Sequence, residues 1–189
     1  MKKLLITLPL LFLVVSCGPI IGQMMRLSEG VKSFRVVEGD LGILKQERKI
    51  LVVGPFAKAP GAYYIARGDE AAAFAQELNN NPPLRADIYM GGRYGDLEAT
   101  ASAVRAMGGS RMQSELGISF APDLIMTGTI LERETIVAPT RGIIMQVGYR
   151  LEFFDPASKQ KTVVEIVVKD HFKDCVKTVV GELLGTTAG

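Results

Sequence analysis

His171 is the single histidine in the chain, and it directly follows Asp170, so a base oriented by a carboxylate is the first chemistry to weigh. Adjacent residues at a helix start do not face one another, and no evident nucleophile stands ready for such a base to activate. A solvated or capping histidine is the expectation. Ser158-Lys159-Gln160-Lys161 satisfies S-x-x-K, where a helix would bring the lysine over the serine one turn later. The preceding Asp155-Pro156-Ala157 is turn chemistry, so that facing geometry is not expected. Gly91-Gly92-Arg93-Tyr94-Gly95 puts glycines between a strand and a helix, where free N–H groups can receive an anion, but its spacing is neither G-x-G-x-x-G nor a Walker loop. A tight turn displaying Arg93 and Tyr94 is expected instead, and an exposed Arg–Tyr pair suits a protein contact. Tyr63, Tyr64 and Arg67 form a second such group after an apolar strand, although tyrosines folded back onto the core fit these residues equally well. One histidine, no carboxylate cluster and no C-x-x-C argue against a catalytic metal, and no cofactor is implied.

Cys17 offers the most specific chemistry. It closes the segment MKKLLITLPLLFLVVSC, in which Lys2 and Lys3 form a cationic head and Leu4 to Val15 an apolar run too short to span a bilayer. The order Val14-Val15-Ser16-Cys17 resembles the lipobox of bacterial lipoproteins. That resemblance implies cleavage between Ser16 and Cys17, followed by acylation of the Cys17 sulfur and the new amino group. Since each buried CH₂ contributes about 0.8 kcal/mol, one acyl chain is a marginal anchor and two or three are a stable one. Gly18, rather than an aspartate, follows the cysteine, which implies the periplasmic face of the outer membrane in an enteric-type cell.

Loss of the first sixteen residues removes Lys2 and Lys3, leaving 22 − 2 = 20 basic side chains against 20 acidic ones. That balance, with no basic cluster longer than Lys45-Gln46-Glu47-Arg48-Lys49, argues against a nucleic-acid partner. The remaining chain, 48% apolar over the full sequence, is long enough for one domain with a real core. Only two cysteines occur, so acylation of Cys17 leaves Cys175 without a partner and a buried thiol is expected. No later segment has eighteen uninterrupted apolar residues, as a membrane helix would need. The expected division is a signal peptide over 1–16, a lipidated tether over 17–33, an α/β domain over 34–185 and a short tail over 186–189.

Hydropathy periods give the scaffold. Ile50-Leu51-Val52-Val53, closed by Gly54-Pro55, reads as a central strand covered on both faces, and residues 34–44 as a weaker strand. Ala71, Phe74, Ala75 and Leu78 make a helical stripe stopped by Asn79-Asn80-Asn81-Pro82-Pro83. A strand over 86–90 follows, then a helix capped by Asp96 with Leu97, Ala101, Val104 and Met107 on one side, and a helical turn over 110–116 ended by Gly117. Leu124 to Ile130 reads as a strand buried on both faces. Ile143, Met145, Val147, Tyr149, Leu151 and Phe153 alternate with polar residues, so one side of that strand packs and the other meets water. With Thr162 to Lys169 it forms a hairpin. Phe172, Cys175, Val176, Val179 and Leu183 stripe a last helix ending at Gly185.

This order resembles a family of envelope proteins that includes the curli-secretion lipoprotein, lipoprotein activators of peptidoglycan synthases, flagellar accessory lipoproteins and the N-terminal domain of the Tol-system propeller protein. The carrying residues are Ile50 to Phe56, with its Pro-Phe ending, and Asp123 to Ile130, with its Asp, apolar, apolar, Gly pattern. The match covers roughly residues 50–184; residues 86–95 depart from the family's second strand, and a lengthened loop is expected over 132–142. The resemblance implies a single α/β domain with a mixed sheet and packed helices, acting as a non-catalytic scaffold or accessory factor that binds another envelope protein. Two other functions fit less well. A subunit of an oligomeric export channel would need membrane hairpins, which a mature chain this short is expected to lack, and a cell-wall enzyme would need a catalytic pair. Self-association remains compatible with the sequence.

Overall fold

A computed structural model describes residues 29–62, 70–91, 96–138 and 142–185. Its strands are β1 (Gly30–Glu38), β2 (Lys49–Gly54), β3 (Ala57–Gly61), β4 (Arg85–Met90), β5 (Leu124–Ala138), β6 (Gly142–Phe154) and β7 (Lys161–His171). Its helices are α1 (Glu70–Asn79), α2 (Leu97–Ala106), α3 (Gly109–Leu116) and α4 (Cys175–Leu184), with a 3₁₀ turn over Leu41–Leu44. All seven strands join one mixed sheet in the order β1-β7-β6-β5-β2-β4, and β3 pairs beside β5. The β1, β7, β6 and β5 pairings are antiparallel; β2 runs parallel to both β5 and β4. This is the α/β single-sheet architecture expected.

The apolar runs explain the layers. On one face, Ile50, Val52, Leu124, Met126, Met145, Val147, Tyr149, Leu151 and Phe153 lie under the stripes of α1 (Ala71, Phe74, Ala75, Leu78) and α4 (Cys175, Val179, Val180, Leu183). On the other, Leu51, Val53 and Ile125 meet Val104 of α2 and Met112 of α3. The apolar side of β6 is thus core packed under helices. No helix among the described residues is long and apolar enough to cross a membrane. Asn79 ends α1 by laying its amide on the outer edge of β4, donating to the Ala86 carbonyl and accepting from the Ala86 N–H. A side chain there does the work of a pairing strand on an otherwise open edge.

The two motif segments named above meet in the sheet. Asp123 and Lys49 clasp the starts of β5 and β2: each N–H is bonded by the other residue, to the Lys49 carbonyl at 2.7 Å and to the Asp123 carboxylate at 3.0 Å. The Phe56 ring then lies directly over Gly128, where a Cβ would stand 2.5 Å from ring carbons. Phe56 continues through Phe74 to Tyr149, with ring centroids 5.5 and 5.3 Å apart.

Several expectations are corrected. β2 lies one strand in from the edge, its burial supplied by helices on both faces rather than by a central position. The weak strand begins at Gly30, ends at Glu38 and gives way to the 3₁₀ turn, because β7 supplies an edge along that whole length. The expected loop over 132–142 is strand as far as Ala138, paired with β6 to Gly142. Asp96 stands at the N-cap of α2 without a side-chain cap bond. Ile143 and Phe172 are 57% exposed, beyond the reach of the helical cover. Gly117 and Gly185 do end their helices in the left-handed conformation, both at φ 67.

Candidate functional site

Ser16, Cys17, Tyr63, Tyr64, Arg67, Arg93 and Tyr94 lie outside the described residues. The strand ends nearest the two loop groups, Gly61 of β3 and Met90 of β4, are at the carboxyl ends of parallel strands, where open α/β sheets commonly hold ligands.

Next to those strand ends the structure builds a polar surface whose centre is Arg105 in α2. Its Nη2 donates to the Thr127 hydroxyl of β5 at 2.9 Å and to Glu152 of β6 at 3.3 Å. Its Nε is buried without a hydrogen-bond partner among the described residues. The same guanidinium stands 6.0 Å from the Phe154 ring centroid, and the Lys159 ammonium is 5.9 Å from it. Arg105 lines a cavity of about 150 Å³ with Gly54, Gly91, Thr100, Thr127 and Glu152. It also lines a wider hollow of about 730 Å³ with Glu38, Asp40, Phe154, Lys159 and Lys161.

From Arg105 a charged array runs across the face of β6, β7 and β1 that lies beyond α2. Period-two alternation puts Arg150 and Glu152 on this side of β6, opposite Tyr149 and Leu151. Register places Arg150 against Glu165 of β7 and Glu165 against Arg35 of β1. Arg35 donates to Glu165 at 2.6 Å, Arg150 donates to it at 3.1 Å, and Arg150 Nε is 3.6 Å from Glu152. Hydrogen bonding from Arg35 is the main reason that the Glu165 carboxyl is held below its usual range, with Arg150 adding to it. Sequence reading saw Arg150 and Glu152 only as a wetted side; the array needs β1 to pair with β7, and no local signal reports that.

The other chemically capable groups are engaged elsewhere. Ser158 and Lys159 sit in a turn in which Asp155 accepts from the N–H groups of Ala157 and Ser158, so no helix brings the lysine over the serine. Cys175 is buried, and that burial pushes its thiol up to about 12. Burial likewise raises the Tyr149 phenol. Arg133 of β5 donates to Glu70 at the start of α1, with side chains 3% and 10% exposed. This buried pair was not foreseen, because Arg133 reads as part of a loop, where a charge looks solvated. The pairing of β1 with β7 also corrects the expectation of no carboxylate cluster: Glu29, Asp170 and His171 place one ligand atom each within 4.8 Å of one another. Asp170 is already committed, accepting from the Thr178 hydroxyl at 2.6 Å and from the His171 N–H at 2.8 Å. His171 is partly exposed, its Nδ1 3.7 Å from Asp170.

No protein-family model and no curated protein matches the sequence. Among solved structures, a PelC dodecamer from Paraburkholderia phytofirmans is similar at 11% identity and TM-score 0.44, covering 82% of this chain and 94% of that one. A variant of the same dodecamer in another crystal form gives 15% identity and TM-score 0.47 over the same shares. A hypothetical protein, CT253, from Chlamydia trachomatis gives 10% identity and TM-score 0.37, covering 65% of this chain and 71% of that one.

Proposed function

We propose that this chain is a lipid-anchored, non-catalytic protein on the periplasmic face of a bacterial outer membrane, and that it binds another envelope protein through the charged face centred on Arg150. The lipobox-like order at Cys17 supports the anchor. The single observation that carries the binding role is the Arg35–Glu165–Arg150–Glu152–Arg105 array, which spans three strands and a helix on a sheet face that the other described elements leave open. Ion pairs that keep contact with solvent, as these partly exposed ones do, contribute little to folding, about 0–1 kcal/mol each, so stability alone does not explain so many of them. Arginine-rich, charge-patterned surfaces serve recognition, steering encounter and fixing register. An anchor confines both partners to a surface and raises effective concentration, which lets modest contacts suffice.

A photoreactive residue at Arg35 in the full chain, expressed in the source cell, tests this reading. It is expected to trap one discrete envelope protein, and Arg150→Ser is expected to reduce that adduct severalfold without changing the amount of protein. Equal trapping from Arg35 and from Glu115, on the exposed side of α3, would contradict it.

A further inference from the structure

One end of the sheet gathers the most exposed apolar side chains of the described residues. Val137 is 76% exposed and Ile143 and Phe172 are each 57%, against 54% or less for Met90, Val37 and Val36. Val137 and Ile143 are direct cross-strand partners in the β5–β6 ladder. They lie on the side of Met145 and Val147, one step beyond the place where α1 and α4 stop covering it. Phe172 follows the last residue of β7, and His171 there pairs with Ile144, which adjoins Ile143. The hollow beside Phe172, about 310 Å³ and lined by Met145, Tyr149 and Val176, opens at the same end.

The chain also enters the sheet at this end. Gly30 pairs with Lys169, two residues before the end of β7, and Lys169 pairs with Gln146, so β1 begins four residues in from the start of β6 and three from Ile143. Twelve residues, Gly18 to Glu29, separate Cys17 from that point. Fully extended they reach about 40 Å; from the level of Gly30 the far end of β6 lies eight residues or about 27 Å away and Ile143 only three or about 10 Å, so the opposite end of the sheet meets the same membrane only with most of this segment stretched alongside the domain. The near end needs no such stretch.

We infer that the end bearing Val137, Ile143 and Phe172 seats in the headgroup–acyl boundary of the membrane that holds Cys17. This rests on the anchored reading of Cys17. Exposed apolar groups clustered next to a tether are the pattern of a surface that meets lipid, and three such side chains orient the domain while the acyl chains retain it. The turn over Asp155–Gln160 is then the end turned away from the bilayer, and the Arg150 face stands at the side, open to a partner.

Site-specific labelling of the acylated full-length chain tests it. Cys175 is buried and Cys17 is acylated, so an introduced cysteine takes an environment-sensitive fluorophore selectively. Single variants Val137→Cys, Ile143→Cys, Phe172→Cys and, as the distal control, Ala157→Cys are labelled and placed in vesicles of phosphatidylethanolamine and phosphatidylglycerol. Labels at the first three positions are expected to shift to the blue and lose most of their emission when the acyl chains carry bromine, while the label at 157 does neither. If the protein floats with the vesicles and all four labels stay aqueous, this inference fails and the anchor stands. If unlabelled Val137→Cys instead forms disulfides between copies and its label ignores the bromine, the end belongs to a second copy and the inference fails again. If the wild-type chain does not float with vesicles, the anchored reading falls and takes this inference with it.

Discussion

Arg133 and Glu70 show what a charge costs once it leaves water. Removing one partner of a buried, hydrogen-bonded pair leaves the other without compensation, so Arg133→Ala is expected to lower stability by about 3–5 kcal/mol in urea titrations. Replacing both, as Glu70→Leu with Arg133→Met, is expected to cost far less, because the penalty comes from the orphaned charge. Cys175 makes a separate prediction. Its folded-state thiol is raised chiefly by burial, so its contribution to stability is complete below the unfolded value of about 8.5 and is lost as pH rises towards about 12. At about pH 8 the thiol should react with a maleimide no faster than the chain unfolds, and prompt reaction would contradict its burial. Acid acts through different groups. Burial raises Asp87, but the hydroxyl and N–H of Ser119, at 2.6 and 2.7 Å, outweigh it and leave the carboxyl below its usual value. Glu165 is lowered by Arg35. Both groups stabilise the fold above the unfolded carboxylate range and lose that contribution as pH falls through their lower folded values, so the urea midpoint should drop from about pH 6 to about pH 3. Asp87→Asn combined with Glu165→Gln should flatten that drop.

Gly128 and Phe56 show why two short motifs travel together. An aromatic ring over a strand requires the strand to offer no side chain there, so Gly128→Ala pushes a methyl into the Phe56 ring. Overpacking of this kind costs about 1–3 kcal/mol, and Gly128→Ala with Phe56→Leu should recover part of it in the same titration. Such elements were legible because their signals are local. The alternation through Met145 to Phe153 gave β6 and its buried side, and the spacing of Ala71, Phe74, Ala75 and Leu78 gave α1 and its stripe. What escaped was set by distant neighbours. β5 runs on to Ala138 because β6 offers a ladder to Gly142, although its own residues, Glu132, Arg133 and Glu134, read as loop. Ile143 keeps the correct alternation and is nevertheless exposed, because alternation reports which side a residue takes and not where the helices above it end. Asp96 is the right residue type at an N-cap and makes no cap bond.

Composition and hydropathy period were enough for the α/β class, the hairpin and the terminal helix, while strand order was not legible. β1 joins β7, more than a hundred residues away, and that one pairing assembles the Arg35–Glu165–Arg150 array, brings Glu29 to Asp170 and His171, and starts β1 near the apolar end of the sheet. Candidate contacts at Tyr63, Tyr64, Arg67, Arg93 and Tyr94 follow from residue type alone, whereas the array is a product of topology. On the proposed reading, anchor, seating and open face form one account: lipid would fix the site of action, the apolar end the orientation, and the charged side would meet a partner. All of it depends on Cys17. Feeding cells an alkyne fatty acid and comparing the wild-type chain with Cys17→Ala, by click labelling and by salt washing of membranes, tests that dependence most directly. The account predicts fatty-acid label and salt-resistant membrane retention in the wild type, and neither in the variant; an unlabelled wild type, or a variant that stays on washed membranes, would contradict it.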